Sequence, residues 1–132
     1  MSFVHHICIQ TNDYEKSLQF YKEVLGFELI SEAPNFHQRQ YNSWLKLGGF
    51  YIELQTGKVA ESLRPYEKNA EGIVHLCLWV KELAMVVERI KPLGVEFFLK
   101  NGHEIFQVEN GSLCKFKAPE GTVIELRDNK GI

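Results

Sequence analysis

Two histidines and two glutamates stand at matched places in this chain of 132 residues. His6 opens His6-Ile7-Cys8-Ile9, and His75 opens His75-Leu76-Cys77-Leu78. Glu53 sits in Gly49-Phe50-Tyr51-Ile52-Glu53-Leu54, and Glu125 in Gly121-Thr122-Val123-Ile124-Glu125-Leu126. Neutral imidazoles offer nitrogen to a cation. Carboxylates offer oxygen and offset its charge. Two of each suit one divalent ion and leave room for two further ligands in six-coordinate geometry. No sulfur joins the set, which argues against a structural zinc site.

The four residues share one face if their segments are strands, because side chains alternate across a strand. His6, Cys8 and Gln10 then lie with Tyr51, Glu53 and Gln55. In the same way His75, Cys77 and Trp79 lie with Val123, Glu125 and Arg127. The opposite face collects Ile7, Ile9, Ile52, Leu54, Leu76, Leu78, Val80, Ile124 and Leu126, all aliphatic, which must pack against helices. His5 is the nearest rival ligand, but it alternates to that side, and His6 rather than His5 matches His75 in the repeat. Trp79 and Tyr51 can wall an apolar pocket, and Arg127 can pair with an anionic group.

The matched segments are part of an internal repeat. Leu25-Gly26-Phe27-Glu28-Leu29 pairs with Leu93-Gly94-Val95-Glu96-Phe97 at nearly the same offset as the other two matches. Each half reads as strand, helix and three strands. Residues 4–10 alternate as a strand. Asn12 or Asp13 can cap a helix with the stripe Tyr14, Leu18, Tyr21 and Leu25, closed by Gly26. Residues 27–31, about 38–47 and 50–55 complete module one, about 1–56. A polar connector, 57–71, leads to module two, about 72–128. There Leu83, Val86, Val87 and Ile90 repeat the stripe, and Pro92 ends the helix. Strands at 95–100, 104–108, 112–118 and 122–127 follow, with a hairpin turn at Asn110-Gly111. The expected fold is α+β: paired βαβββ modules in one domain over 1–132. They form a partly closed, curved mixed sheet with the helices on its outer face.

Composition bounds the function. The chain is 45% hydrophobic and 24% charged, with net charge −2, so nothing favours nucleic acid or an anionic membrane. No apolar run approaches the ~20 residues of a membrane helix, and no signal peptide is evident. Cys8, Cys77 and Cys114 are odd in number and contain no CxxC. We expect reduced, mostly buried thiols in a cytoplasmic protein.

The anchors Val4-His5-His6-Ile7-Cys8-Ile9, Ser17 to Phe27, Tyr51-Ile52-Glu53-Leu54, Val74-His75-Leu76 and Ala118 to Leu126 resemble the vicinal-oxygen-chelate superfamily. That group holds glyoxalase I, methylmalonyl-CoA epimerase, extradiol dioxygenases and the fosfomycin- and bleomycin-resistance proteins. The resemblance covers nearly the whole chain and implies a homodimer of paired modules acting on a small molecule. It carries over His6, Glu53, His75 and Glu125 as the metal ligands. Glutamate at position 53 is the glyoxalase I choice, which implies a lyase or isomerase that abstracts a proton next to a carbonyl. Glu125 would be the base, and Glu53 would hold the metal or return the proton. Alternatives on the same scaffold are an extradiol-type dioxygenase, a 2-methyl acyl-thioester epimerase and a non-catalytic binding or resistance protein. The compact chain resembles shorter bacterial glyoxalases, which favours nickel or cobalt over zinc, manganese or iron. Gln10 takes a substrate-contacting position where glyoxalase I usually has Arg, and Gly57 lies near its usual Asn. The resemblance therefore stops short of the glutathione contacts.

Overall fold

The computed structural model describes residues 1–132, which separate into two compact units, Met1–Pro65 and Tyr66–Ile132. They carry two mixed sheets, neither closed, and two α-helices, an α+β architecture.

In the first unit β1 (His6–Thr11) leads to α1 (Tyr14–Gln19). Asp13 caps this helix by accepting a hydrogen bond from the Lys16 N–H. Of the expected stripe, Tyr14, Tyr21 and Leu25 are buried and Leu18 is half-buried, with Ser17 enclosed beside it. The helix does not run on regularly. Phe20–Val24 forms a wider π turn, in which the Leu25 N–H reaches back to the Phe20 carbonyl. Gly26 then turns out with φ of +79°, a conformation that is costly for a side chain. The chain continues through β2 (Glu28–Phe36), β3 (Arg39–Leu47) and β4 (Phe50–Thr56), in the sheet order β1-β4-β3-β2. β1 and β4 are parallel; the other pairs are antiparallel.

The second unit repeats the plan. β5 (His75–Trp79) precedes α2 (Leu83–Ile90), and a 3₁₀ turn over Lys91–Leu93 holds Pro92. Proline suits this place because it cannot continue an α-helix. β6 (Glu96–Phe97), β7 (Phe106–Val108), β8 (Gly111–Lys117) and β9 (Val123–Arg127) complete it. The order is β5-β9-β8-β6, with β7 also on β8 and β5 parallel to β9. The repeat seen in the sequence is thus a repeat of topology. Its strand lengths differ from expectation. β2 runs on to Phe36, because it keeps a long antiparallel partner in β3. β6 shrinks to two residues, Glu96 and Phe97, which pair with Lys117 and Phe116 of β8; past them a single bond, from the Phe98 N–H to the Lys115 carbonyl, ties the chain to β8.

Each sheet buries the middle of the aliphatic face read from the alternation, while Ile7, Leu76, Leu78 and Val80 remain half-buried. Ile52, Leu54 and Ile124 are fully enclosed, and Ile9 and Leu126 nearly so. Phe116 on β8 joins this layer with no exposed surface. Removing its ring leaves a cavity the surroundings cannot refill. We expect Phe116→Ala to lose about 3–5 kcal/mol of unfolding free energy in urea titration.

Candidate metal and substrate site

The polar face of each sheet carries one imidazole beside one carboxylate. In the first unit Cys8 lies directly opposite Glu53 in the β1–β4 register. This brings His6 Nε2 within 3.8 Å of Glu53 Oε1. In the second unit Cys77 lies opposite Glu125 in the β5–β9 register. His75 Nε2 is there 3.4 Å from Glu125 Oε2. Parallel pairing makes this arrangement: a residue on one strand and its register partner stand side by side on one face, with the preceding same-face residue one step away.

These pairs are built to different degrees of enclosure. Glu125 is 6% exposed, and three groups surround it. Besides His75, the Lys115 ammonium approaches Oε2 at 3.7 Å, and the Cys77 thiol donates to Oε1 at 3.6 Å. Glu53 is more open, with 22% of its side chain exposed. Aromatic rings crowd its neighbourhood. Trp44 is its register partner on β3, and the Trp44 ring meets the His6 ring edge-on at 4.8 Å.

The residues present fit a divalent ion. Two ligands each about 2.1 Å from one ion, at angles between octahedral and tetrahedral, stand roughly 3.0–3.4 Å apart. The 3.4 Å separation of His75 and Glu125 agrees with this, and the 3.8 Å of His6 and Glu53 is slightly wider. His75 Nδ1 is buried without a hydrogen-bond partner, so no outer group fixes the ring's tautomer. The four expected ligands occur as these two pairs. No group of three or more His, Cys, Asp and Glu side chains able to hold an ion occurs in the chain.

The other expected site residues divide. Tyr51 lies on the polar face beside His5, their rings stacked at 5.2 Å. Gln10 is engaged: its amide oxygen accepts from Arg39 Nη1 at 3.0 Å and from Gln55 Nε2 at 3.4 Å. Trp79 is 44% exposed, donates to the Asp128 carbonyl and has Lys130 Nζ 4.2 Å from its ring centre. Arg127 is half-buried, and its Nε finds no partner.

Two expectations need correction. His5, expected on the helix side, instead stacks its ring on Tyr51 and has its Nδ1 2.9 Å from that of His6. β1 begins only at His6, so strand alternation does not bind the residue before it. The thiols are also not mostly buried: Cys8 and Cys77 are exposed, and only Cys114 is enclosed. The first two are on the polar face, where no helix covers them. Residues not anticipated at the site are Lys115, Trp44 and Arg39. The first two could have been found only by knowing the β8–β9 and β3–β4 registers.

The three thiols remain protonated at neutral pH. Although part of Cys8 reaches solvent, desolvation of its sulfur against the sheet, then the charge of Glu53, pushes it up to about 11. Desolvation, then Glu125, does the same to Cys77. Burial pushes Cys114 up to about 12. Raised thiol pKa values favour the folded state below the ordinary value near 9. That contribution is lost as pH rises through the folded values. At pH 8 the metal-free folded protein should react with iodoacetamide at least about tenfold more slowly than the urea-unfolded chain, since only the thiolate attacks. Equal rates by mass spectrometry would contradict these environments.

Paired βαβ-type units with an imidazole and a carboxylate on each polar face define a class of small mixed α+β proteins. The chain belongs to the Glyoxalase/Bleomycin resistance protein/Dioxygenase superfamily, whose family model matches residues 3–126. It is 33% identical over 93 residues to the uncharacterized protein YwkD of Bacillus subtilis (strain 168), covering 70% of this chain and 73% of that one. It is 30% identical over 133 residues to a probable lactoylglutathione lyase of Vibrio cholerae serotype O1, covering 95% and 89%. The fold superposes on FosX, the genomically encoded fosfomycin resistance protein of Listeria monocytogenes, solved with Mn(II) and sulfate. The TM-score is 0.74 at 22% identity, over 98% of this chain and 94% of that one. No helix of this chain is long and apolar enough to cross a membrane.

Proposed function

We propose that the protein is a metal-dependent lyase or isomerase of the glyoxalase I type. The observation that carries this reading is the repeated imidazole–carboxylate pair: His6 with Glu53 at 3.8 Å and His75 with Glu125 at 3.4 Å. In this reading the two pairs hold one divalent ion, with nickel or cobalt preferred. A carboxylate in each pair suits proton transfer better than oxygen chemistry, because a fourth protein ligand takes a position that oxygen or a diol would need. The probable lactoylglutathione lyase of Vibrio cholerae, aligned over 95% of this chain, adds support.

A bound divalent ion would supply Lewis-acid stabilisation of the negative charge that develops on substrate oxygen. Glu125 takes the proton from the carbon beside the carbonyl. The bonding pair left behind forms the enediolate, and Glu53 returns a proton at the neighbouring carbon. Lys115 is placed to balance the Glu125 carboxylate when it shifts toward the substrate. Tyr51 and Trp79 shield the reacting carbon from water, while Gln10 and Arg127 orient the rest of the substrate.

The protein is proposed to act as a homodimer. Phe3 and Val4 ahead of β1, and Ile73 and Val74 ahead of β5, are apolar and exposed. A second copy would cover them. Light scattering should return twice the 15.3 kDa of one chain, and a monomer at micromolar concentration would contradict this part of the reading.

The activity is tested by presenting nickel-loaded protein with hemithioacetals of methylglyoxal and a panel of thiols, glutathione among them. A 2-methyl acyl-thioester and a catechol run in parallel. Thioester formation from one adduct, abolished by a chelator and restored by nickel, is the expected result. Turnover of only the acyl-thioester or only the catechol would replace this reading with the epimerase or the dioxygenase.

A further inference from the structure

The two halves repeat in backbone but not in charge. On the first sheet the register partner of Glu53 is Trp44, and the same-face residue beyond Glu53 is Gln55. At the equivalent places of the second sheet stand Lys115, opposite Glu125, and Arg127. A neutral pair in one half is a cationic pair in the other, so the shared topology does not require the charges. The Glu125 carboxylate engages one of these cations and leaves the Arg127 Nε unpaired. Lys115 Nζ is 3.7 Å from Glu125 Oε2, while Arg127 Nε is buried with no hydrogen-bond partner. Lys130, over the ring of Trp79 on the neighbouring strand, adds positive charge nearby.

A guanidinium donor without a partner in a buried position is costly unless something fills it. A planar guanidinium fork beside a compact ammonium is the usual arrangement for carboxylate or phosphoryl oxygens. We propose that Lys115 and Arg127 form an oxyanion-receiving site on the polar face of the second sheet, so that the substrate carries a carboxylate or phosphoryl group on the side nearest Glu125. This deepens the isomerase reading and rests on it for the identity of the reaction. The anionic end is anchored beside the base, which fixes the carbon acid relative to the Glu125 carboxylate. A hemithioacetal with no anion near its reacting carbon would leave Arg127 unfilled.

The test is a titration of metal-free, ¹⁵N-labelled protein with inorganic phosphate, and separately with acetate, at constant ionic strength. Saturable shifts should concentrate on the amides of β8 and β9. Lys115→Gln and Arg127→Gln should each weaken binding by about 10–100-fold, the equivalent of one charge-assisted hydrogen bond. Lys46→Met, on the polar face of the first sheet, should leave it unchanged. Arg127→Gln introduces the residue type found at the equivalent position, Gln55, and keeps the test valid if Lys115→Gln fails to fold. Tighter phosphate than acetate assigns a phosphoryl substrate, and comparable binding assigns a carboxylate. Absence of saturable shifts in the wild type, or wild-type binding by a folded Arg127→Gln variant, would overturn the site. Nickel titration of the same samples separates the two readings. Phosphate binding without nickel binding contradicts the metal site alone, and nickel binding without phosphate binding contradicts this site alone.

Discussion

Alanine at His6 or at His75 should cost the protein most of its divalent-metal affinity, on the order of a hundredfold or more. Even outer partners of a ligand are worth about 10–100-fold in metal binding, and each imidazole supplies the nitrogen donor of its pair. The fold should survive both changes. The His6 and His75 side chains keep 35% and 33% of their surface exposed, and neither belongs to the buried layer of Ile52, Leu54 and Ile124. Circular dichroism should be unchanged while nickel content after dialysis falls. If both variants keep wild-type metal content, the ion is held elsewhere. His5→Ala is the informative companion. Its Nδ1 is 2.9 Å from that of His6, so it should alter how His6 is held without removing a ligand.

Glu125→Gln should reduce kcat by about 10²–10⁴, the range for losing a general base. Glutamine keeps the size and one acceptor oxygen for the Cys77 thiol, but cannot take up a proton. Lys115, 3.7 Å from the carboxylate, then faces a neutral amide, so some stability is lost as well. Glu125 is 6% exposed, but the Lys115 side chain keeps 35% of its surface in solvent, so the loss is smaller than for a fully buried pair. A Lys115→Met, Glu125→Gln double variant separates the two effects. It should regain stability and not turnover. If Glu53→Gln abolishes turnover while Glu125→Gln keeps it, the two carboxylates exchange roles.

The polar face was legible because strand alternation is a strict rule inside a paired strand. His6, Glu53, His75 and Glu125 fall where that rule puts them, and Ile52, Leu54, Ile124 and Leu126 are buried on the other side. The rule fails one residue outside the strand, which is why His5 turns toward Tyr51. It also says nothing about which residue of a neighbouring strand stands opposite. Lys115 alternates correctly within 112–118, but its place beside Glu125 follows from the β8–β9 register. That register depends on the connection through Ala118–Thr122, where the Ala118 N–H bonds the Thr122 carbonyl. The π turn at Phe20–Val24 was hidden for a similar reason. The stripe of Tyr14, Tyr21 and Leu25 suits a regular helix, and the extra width comes from how the chain leaves it, with the Phe27 N–H bonded to the Tyr21 carbonyl at 2.9 Å.

Metal-dependent removal of a carbon-bound proton is the central claim, and solvent exchange measures that step itself. Nickel-loaded protein is incubated in deuterium oxide with the substrate adduct that the thiol panel selects, and product and recovered substrate are analysed by mass spectrometry. The account predicts deuterium at the carbon beside the carbonyl, dependent on nickel and strongly reduced in Glu125→Gln. Deuterium at the same level in chelated protein, or none with any adduct in the presence of bound nickel, would contradict it.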